Sequence, residues 1–304
     1  IRINNSLMIE LKNEKIAVPV VLFAGLLWSF GPLVVRYMDQ PQFVPWQYIF
    51  GRGLTIFIIL NLYLYFEEGI NFYKNYKKIG KSGLLGGCGL GVAMISFIYS
   101  ITNTSAAITL LCLAAMPFFT ALLAFLFLKE RISLNVWISI FIATIGIIIM
   151  AFGNTEKSSV IGFIFGITSS IGFSVFSVTL RWRKETPKFT TVAVAGLFCF
   201  VVATMVILTK NQPFFATSYN STMFSLHGTL VCLGLILYSI GSKAIPAAEL
   251  TLLSLTEVIG GIFWVWLPLF GINEIPSTNT IVGGFFLFVS LIYYSLIMRW
   301  NKRF

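Results

Sequence analysis

Apolar stretches of about 20 residues, each long enough to cross a bilayer as a helix, alternate along the chain with short polar and charged segments. Within lipid only helices and closed barrels satisfy the backbone, and the strands of a barrel alternate in polarity where these stretches are continuously apolar. The pattern therefore predicts an all-α integral membrane protein. We place ten transmembrane helices at residues 16–37, 44–66, 82–102, 105–128, 134–152, 159–181, 190–209, 224–242, 246–270 and 277–298.

Composition leaves no room for a soluble domain. Of 304 residues, 57% are hydrophobic and 11% are charged, against roughly 25% charged in a soluble domain. Ten spans with short loops use nearly the whole chain, so we expect no enzymatic activity. The four cysteines lie inside apolar stretches without CxxC spacing, and the single histidine, His227, lies near the end of a predicted span. We therefore expect structural roles for these residues, no metal site and no cofactor.

The basic residues predict the orientation of the chain. A net charge of +10 can indicate nucleic-acid binding, but here Lys and Arg form short clusters between apolar stretches and no separate basic domain exists. Seventeen of the 21 fall on the side of the N-terminus, Arg52 lies within a span, and three fall on the other side, namely Arg36, Lys157 and Lys210. The positive-inside rule then places both termini in the cytoplasm.

The expected partners are the lipid bilayer and a small-molecule solute, with no nucleic acid, and the sequence leaves open whether the protein is a monomer or a homodimer. The chain is rich in lysine, asparagine and isoleucine. This composition is typical of an AT-rich bacterial genome, and we therefore expect the bacterial inner membrane as the location.

The chain repeats itself at a nearly constant offset. Glycines 25 and 31 recur as glycines 166 and 172, and Tyr99-Ser100-Ile101 recurs as Tyr238-Ser239-Ile240. Thr109-Leu110-Leu111-Cys112-Leu113 recurs in the same order, and at nearly the same separation, as Thr251-Leu252-Leu253-Ser254-Leu255. Two repeats of five helices each, at 16–152 and 159–298, must run in opposite directions because five is odd. Inverted repeats place a substrate site near the bilayer midplane, between the halves.

Short segments flank the two repeats. Residues 1–15 form a cytoplasmic N-terminal segment in this scheme, and residues 299–304 form a cytoplasmic tail. Residues 1–7 precede Met8, and we expect them to be an upstream remnant outside the fold.

The chain also resembles a known family, the drug/metabolite transporter superfamily of the EamA type. The segment Pro117–Arg131, which ends in Leu-Lys-Glu-Arg, is similar to the close of that family's fourth helix, and Arg52 matches an arginine often seen in its second. The second half offers a counterpart that runs from Ala247 through Glu257 to Glu274, followed by a Gly-Gly pair. Two departures are the absence of a partner for Arg52 in span 7 and a longer loop before Glu274. The resemblance implies ten helices, two five-helix EamA repeats and transport of amino acids, nucleotide-like metabolites, osmolytes or drugs, often outward.

Glu257 is the leading candidate for function. It lies ten residues into predicted span 9, roughly 15 Å deep, in the middle of the hydrocarbon core, where a carboxylate is costly and by default functional. It can bind a cationic group of the solute or carry a coupling proton. Arg52, in span 2, can bind a solute carboxylate. The structural alternatives are a pair between the two, a hydrogen bond from Glu257 to a neighbouring helix, and contacts of Arg52 with backbone carbonyls. If instead both line one cavity unpaired, a zwitterion such as an amino acid or a betaine matches them.

Polar and aromatic side chains at helical spacing complete the predicted solute site. Polar residues in lipid must face protein or water, so each of these side chains either lines the cavity or bonds a neighbouring helix. Trp28 and Trp264 are candidates for an aromatic wall that holds a cation. The repeat-related Tyr99 and Tyr238 are expected to reach the cavity from opposite sides. The remaining candidates are Ser29, Asn103 and Ser254.

Three functions compete at this stage. A secondary transporter, with proton coupling through Glu257 as an option, agrees with the repeats and the midplane carboxylate. A passive channel or facilitator pore lacks support, since no ring of charges and no filter loop is recognisable. An integral membrane enzyme acting on lipid needs a catalytic cluster near an interface, and we find none.

Overall fold

A computed structural model describes residues 14–152, 160–183, 185–272, 275 and 277–300. The predicted terminal segments fall largely outside these residues, as do Lys157 and Glu274. Helices and turns account for the secondary structure of the described part, which contains no strand. The main helices are α1 (Glu14–Tyr37), α2 (Pro45–Glu68), α3 (Gly80–Asn103), α4 (Ala106–Leu113), α5 (Met116–Leu123), α6 (Leu134–Phe152), α7 (Val160–Trp182), α8 (Lys188–Thr209), α9 (Ser218–Gly241), α10 (Ala247–Leu253), α11 (Thr256–Trp266) and α12 (Thr278–Trp300).

Eight segments of the described chain are long and apolar enough to cross a membrane. Two of them are composite: α4 and α5 together form span 4, and α10 and α11 together form span 9. The helices α6 and α12 contain shorter apolar stretches, Leu134–Ile149 and Ile281–Tyr294. The prediction of an all-α membrane protein with many spans is therefore confirmed, whereas the count of ten stays a prediction.

Helix ends follow local signals that hydropathy does not report. Helix α9 begins six residues before the predicted start of span 8, because Thr217 caps it by accepting a hydrogen bond from the backbone N–H of Asn220 (3.2 Å). Helix α11 ends at Trp266, before the predicted end at 270, since Pro268 opens a separate 3₁₀ turn, Pro268–Phe270.

Spans 4 and 9 are both interrupted near their middle. Span 4 breaks at Ala114 and Ala115, just before Pro117, which has no N–H to continue the helical hydrogen bonds. Span 9 breaks at Ser254 and Leu255, where no proline is present. There Ser254 Oγ donates to the carbonyl of Thr251 (2.8 Å), and such bonds from side chain to backbone compete with regular helix.

The helices pack mainly across the two halves of the chain. Helix α1 packs against α9 and span 9, while α7 packs against α3 and span 4; α2 pairs with α8, and α6 with α12. Gly25 of α1 lies against Ser254 and Thr256 so closely that an added Cβ would overlap the Thr256 hydroxyl and lie 3.2 Å from the Ser254 carbonyl oxygen. Gly166 of α7 lies against span 4, where an added Cβ would come within 2.7 Å of Cys112 Cβ. Small residues of this kind allow close helix contact.

Polar contacts connect the helix ends at both ends of the bundle. At the end that bears Lys129 and Lys188, which we call the basic end, Arg181 Nε lies 2.9 Å from Glu130 Oε1. Arg181 Nη1 also donates to the carbonyls of Ser242 (3.2 Å) and Ile245 (3.1 Å). At the opposite end, Asn220 donates to the Asp39 carbonyl and accepts from the Asp39 N–H (2.9 and 3.0 Å).

Candidate functional site

A small central cavity lies where the two interrupted spans meet. Leu113 and Met116 flank the break of span 4, Glu257 follows the break of span 9, and all three line the cavity. Its volume is about 60 Å³, well below the 300–1,000 Å³ typical of small-molecule pockets. The remaining lining residues are Trp28, Arg52, Leu90, Ala93, Met94, Phe97, Ser169, Phe173, His227, Val231 and Leu235.

Glu257 occupies the first turn of α11 and is 8% exposed. Its backbone N–H donates to the Ser254 carbonyl (2.9 Å), which fixes the residue at the break. Within the described chain, its carboxylate has no direct hydrogen-bond or ion-pair partner. A carboxylate in this position is unusual, because buried charges in proteins are normally paired or hydrogen-bonded.

Arg52 lines the same cavity from α2 and is 3% exposed. Its Nη2 donates to the carbonyl of Met94 (2.9 Å), and its guanidinium carbon lies 5.9 Å from the centre of the Phe97 ring. The other guanidinium N–H groups have no hydrogen-bond partner among the described residues. Because a guanidinium group carries five donors, Arg52 keeps donors available for a ligand.

The two charged residues share the cavity without a direct pair. In the part of the chain that the structure describes, no N···O distance of 4.0 Å or less joins Arg52 to Glu257. Their charges nevertheless interact electrostatically. Of the two arrangements left open by the sequence, the structure has the unpaired one, in which an acidic and a basic group face one space.

His227 is a cavity residue that sequence reasoning set aside. The predicted start of span 8 put it near a helix end, but the earlier start of α9 places it nine residues inside the helix. It is 2% exposed, and its Nδ1 forms a hydrogen bond with the hydroxyl of Tyr48. The signal available in the sequence was a lone histidine in an apolar stretch, which is weak evidence by itself.

Trp28 forms one wall of the cavity as part of an aromatic cluster. Its Nε1 donates to the Val231 carbonyl (3.2 Å), and its ring lies 5.5 Å from Phe173 and 5.4 Å from Tyr238. Tyr238 is fully buried behind this wall, where its hydroxyl bonds Ser177 Oγ (2.7 Å), and it does not line the cavity.

Ser29 and Trp264 lie together, away from the central cavity. Ser29 accepts a hydrogen bond from Trp264 Nε1 (2.8 Å) and donates to the Leu26 carbonyl (2.6 Å). The Trp264 ring stacks on Phe30 at 4.7 Å and lines an apolar groove of about 680 Å³ between α1, α11 and α12. The structure therefore does not bring Trp28 and Trp264 together as a common wall.

The other predicted residues also lie outside the cavity lining. Tyr99 is half-buried between the rings of Trp46 (5.3 Å) and Phe165 (5.0 Å). Asn103 is exposed and donates to the Tyr99 carbonyl (2.8 Å), while Ser254 is buried within the break of span 9. Of the nine candidates, the structure brings Trp28, Arg52 and Glu257 into one cavity.

Comparisons with known proteins agree with this architecture. Residues 15–152 match the model of the EamA-like transporter family. Two proteins of Helicobacter pylori, from strains J99 and 26695 and each named an uncharacterized transporter, are 25% identical to the chain over 256 residues, which is 81% of this chain and 84% of theirs. A protein of known crystal structure shares the fold, with a TM-score of 0.70 at 17% identity over 95% of this chain and 100% of that one. Residues 15–152 are therefore similar to the EamA-like transporter family, and the chain is a multi-pass membrane transporter.

Proposed function

We propose that the protein is a secondary transporter that moves a small zwitterionic or cationic organic solute, such as an amino acid or a betaine, across the bacterial inner membrane by alternating access. The observation that carries the proposal is the Glu257 carboxylate, which is buried in the cavity lining and unpartnered within the described chain. Intramembrane carboxylates are costly and mark substrate or ion pathways.

Two inverted repeats supply the mechanism in this proposal. The breaks of spans 4 and 9 fall at nearly matching positions: with Cys112 equivalent to Ser254 in the repeated segment, the break at Ala114 lies two residues later than the break at Ser254. Gly25 and Gly166, which are equivalent in the two repeats, each lie against the interrupted span of the other half. This exchanged packing supports inverted repeats that rock against each other around a site at the broken helices.

Glu257 binds the cationic group of the solute in this proposal. A charged carboxylate without a partner in a mostly apolar cavity costs several kcal/mol, and a cationic solute removes that cost by pairing with it. When the solute leaves, uptake of a proton neutralises the carboxylate instead. The same residue would thus exchange solute for a proton, which couples the two movements.

Arg52 binds the anionic group of the solute in this proposal. With Arg52 positive and Glu257 negative, the cavity as a whole is near neutral, so a zwitterion enters with its own charges balanced. The free guanidinium donors match the geometry of a carboxylate. The aromatic rings of Trp28, Phe97 and Phe173 provide the apolar contacts.

A carrier agrees with this structure better than a pore. Two packed aromatic clusters contribute to the cavity lining: Trp28 and Phe173 pack with Tyr238, and His227 packs with Tyr48, which stacks on Phe224. Because the cavity has a volume of only about 60 Å³, a solute enters only if side chains or helices move. In the proposed orientation the basic end faces the cytoplasm.

Thermal shift of the purified protein in detergent tests this function. The panel comprises amino acids, betaines, sulfonium osmolytes, polyamines and nucleosides, applied to the wild type, to Glu257→Gln, and to Glu67→Gln as a matched control at an exposed position. A ligand that binds the folded state raises its melting temperature. We expect a zwitterionic or cationic solute to stabilise the wild type and Glu67→Gln but not Glu257→Gln. Equal stabilisation of all three proteins would show that Glu257 does not bind the solute.

A further inference from the structure

We propose that His227, oriented by Tyr48, is a solute ligand, and that its Nε2 atom and the guanidinium group of Arg52 together hold a carboxylate of the solute. The inference rests on the proposed function and adds to it the residue that recognises the anionic end. It predicts that a carboxylate group, and not only a cationic group, selects the solute.

The ring of His227 has a fixed orientation. Its Nδ1 is hydrogen-bonded to the Tyr48 hydroxyl, and Tyr48 itself is fully buried and stacked on Phe224, with ring centres 4.8 Å apart. When the phenol donates to Nδ1, the neutral imidazole carries its proton on Nε2. Nε2 then is a hydrogen-bond donor whose position is set by packing on α2 and α9.

The Nε2 atom is available to a ligand. His227 lines the cavity, and the described chain offers Nε2 no hydrogen-bond partner. On the facing helix α1, Gly31 lies close to the ring, since an added Cβ there would be 2.9 Å from Nε2. A side chain at Gly31 would therefore crowd Nε2, and glycine leaves this atom without such an obstruction.

Arg52 and His227 converge on the same part of the cavity. Both approach the ring of Phe97, the guanidinium carbon at 5.9 Å and the imidazole centre at 6.3 Å from its centroid. Tyr48 and Arg52 are four residues apart on α2 and so project from one face of that helix. Since carboxylates bind best to two or more N–H donors, these two side chains form a donor pair separate from the Glu257 acceptor.

Calorimetric titration of the purified protein tests the assignment with matched probes. The probes are glycine, alanine and leucine, each compared with its decarboxylated amine, which keeps the cation and lacks the carboxylate. Replacing His227 with Phe is expected to weaken binding of the amino acids by about 10-fold or more, the effect of losing a hydrogen bond to a charged group, and to change amine binding by less than about threefold. Tyr48→Phe should give a smaller loss with the same selectivity, and His227→Gln, which keeps an N–H donor, should restore part of the affinity.

Each other outcome rejects a defined part of the scheme. If His227→Phe weakens amino acids and amines equally, or neither, while Glu257→Gln abolishes binding, His227 is structural and the proposed function stands. If the wild type binds no probe, both the zwitterionic solute and this inference are rejected. Should His227→Phe fail to fold, Tyr48→Phe and Gly31→Ala decide, because Gly31→Ala covers Nε2 from the other side and must cause the same selective loss.

Discussion

Arg52 and Glu257 line one cavity from helices of opposite halves of the chain, and no ion pair joins them in the described structure. A direct pair would satisfy both charges permanently and leave little for a solute to bind. The unpaired arrangement keeps an acceptor and several donors available at the point where two interrupted helices meet. This relationship links the fold to the proposed chemistry.

The two charged residues should differ in their effect on stability. Arg52→Gln removes the hydrogen bond to the Met94 carbonyl (2.9 Å) and leaves the Glu257 carboxylate without a nearby positive charge, so the melting temperature should fall. Glu257→Gln removes a carboxylate that has no partner in the described chain, so without solute the melting temperature should stay the same or rise. Thermal unfolding in detergent, monitored by intrinsic fluorescence, measures the melting temperatures of both variants. A larger loss for Glu257→Gln than for Arg52→Gln would indicate a structural role for the carboxylate.

Glycines at the helix crossings should not tolerate alanine. In Gly166→Ala the new Cβ would lie 2.7 Å from Cys112 Cβ, and in Gly25→Ala it would overlap Thr256, so each change should cost about 1–3 kcal/mol through overpacking. Gly284 in α12 is the matched control, because an added Cβ there meets nothing within 4 Å. Gly284→Ala should be neutral or stabilising. Melting temperatures in one detergent compare the stability of the three variants. Equal melting temperatures would contradict the close packing at the helix crossings.

Replacing Arg181 should loosen the contacts at the basic end more than replacing its acidic partner, Glu130. Glu130→Gln removes only the ion pair, which is partly exposed and therefore worth less than about 1 kcal/mol. Arg181→Gln also removes the bonds to the carbonyls of Ser242 and Ile245. A cysteine introduced at the buried Ser242 should therefore react with maleimide faster in the Arg181→Gln background than in Glu130→Gln. Identical rates in both would show that these contacts do not restrain the connection between α9 and α10.

Helix content and placement were predictable from hydropathy because the bilayer requires long apolar segments. The interruption of span 4 was partly predictable, since Pro117 signals a kink. The interruption of span 9 was not, because it depends on Ser254 and its neighbours bonding back to the backbone, and such residues also occur in regular membrane helices.

The candidate site was predictable only for residues whose chemistry is costly in lipid. Arg52 and Glu257 stood out for that reason, and Trp28 followed from its place on a polar face. Tyr238 and Trp264 are the right residue types for such a site, but each side chain bonds a neighbouring helix instead of lining the cavity. Tyr238 bonds Ser177, and Trp264 bonds Ser29. His227 was overlooked because its depth depends on where α9 begins, and a capping threonine decides that.

The orientation of the chain has its own test. Asn211 lies at the end opposite the basic end and is exposed, and Asn75 lies at the basic end and is partly exposed. In a background without the four native cysteines, Asn211→Cys should react with a membrane-impermeant maleimide in intact cells. Asn75→Cys should react only after the cells are opened. The reverse pattern would place the basic end outside and contradict the positive-inside assignment.

Counterflow in proteoliposomes tests the central claim most directly. Vesicles loaded with an unlabelled solute from the stabilising set are diluted into a trace of the labelled solute, and its accumulation is followed for the wild type, Glu257→Gln and Glu67→Gln. The account predicts transient, saturable accumulation for the wild type and Glu67→Gln, and none for Glu257→Gln. Non-saturable entry without counterflow, or undiminished counterflow in Glu257→Gln, would contradict a carrier that binds its solute at this carboxylate.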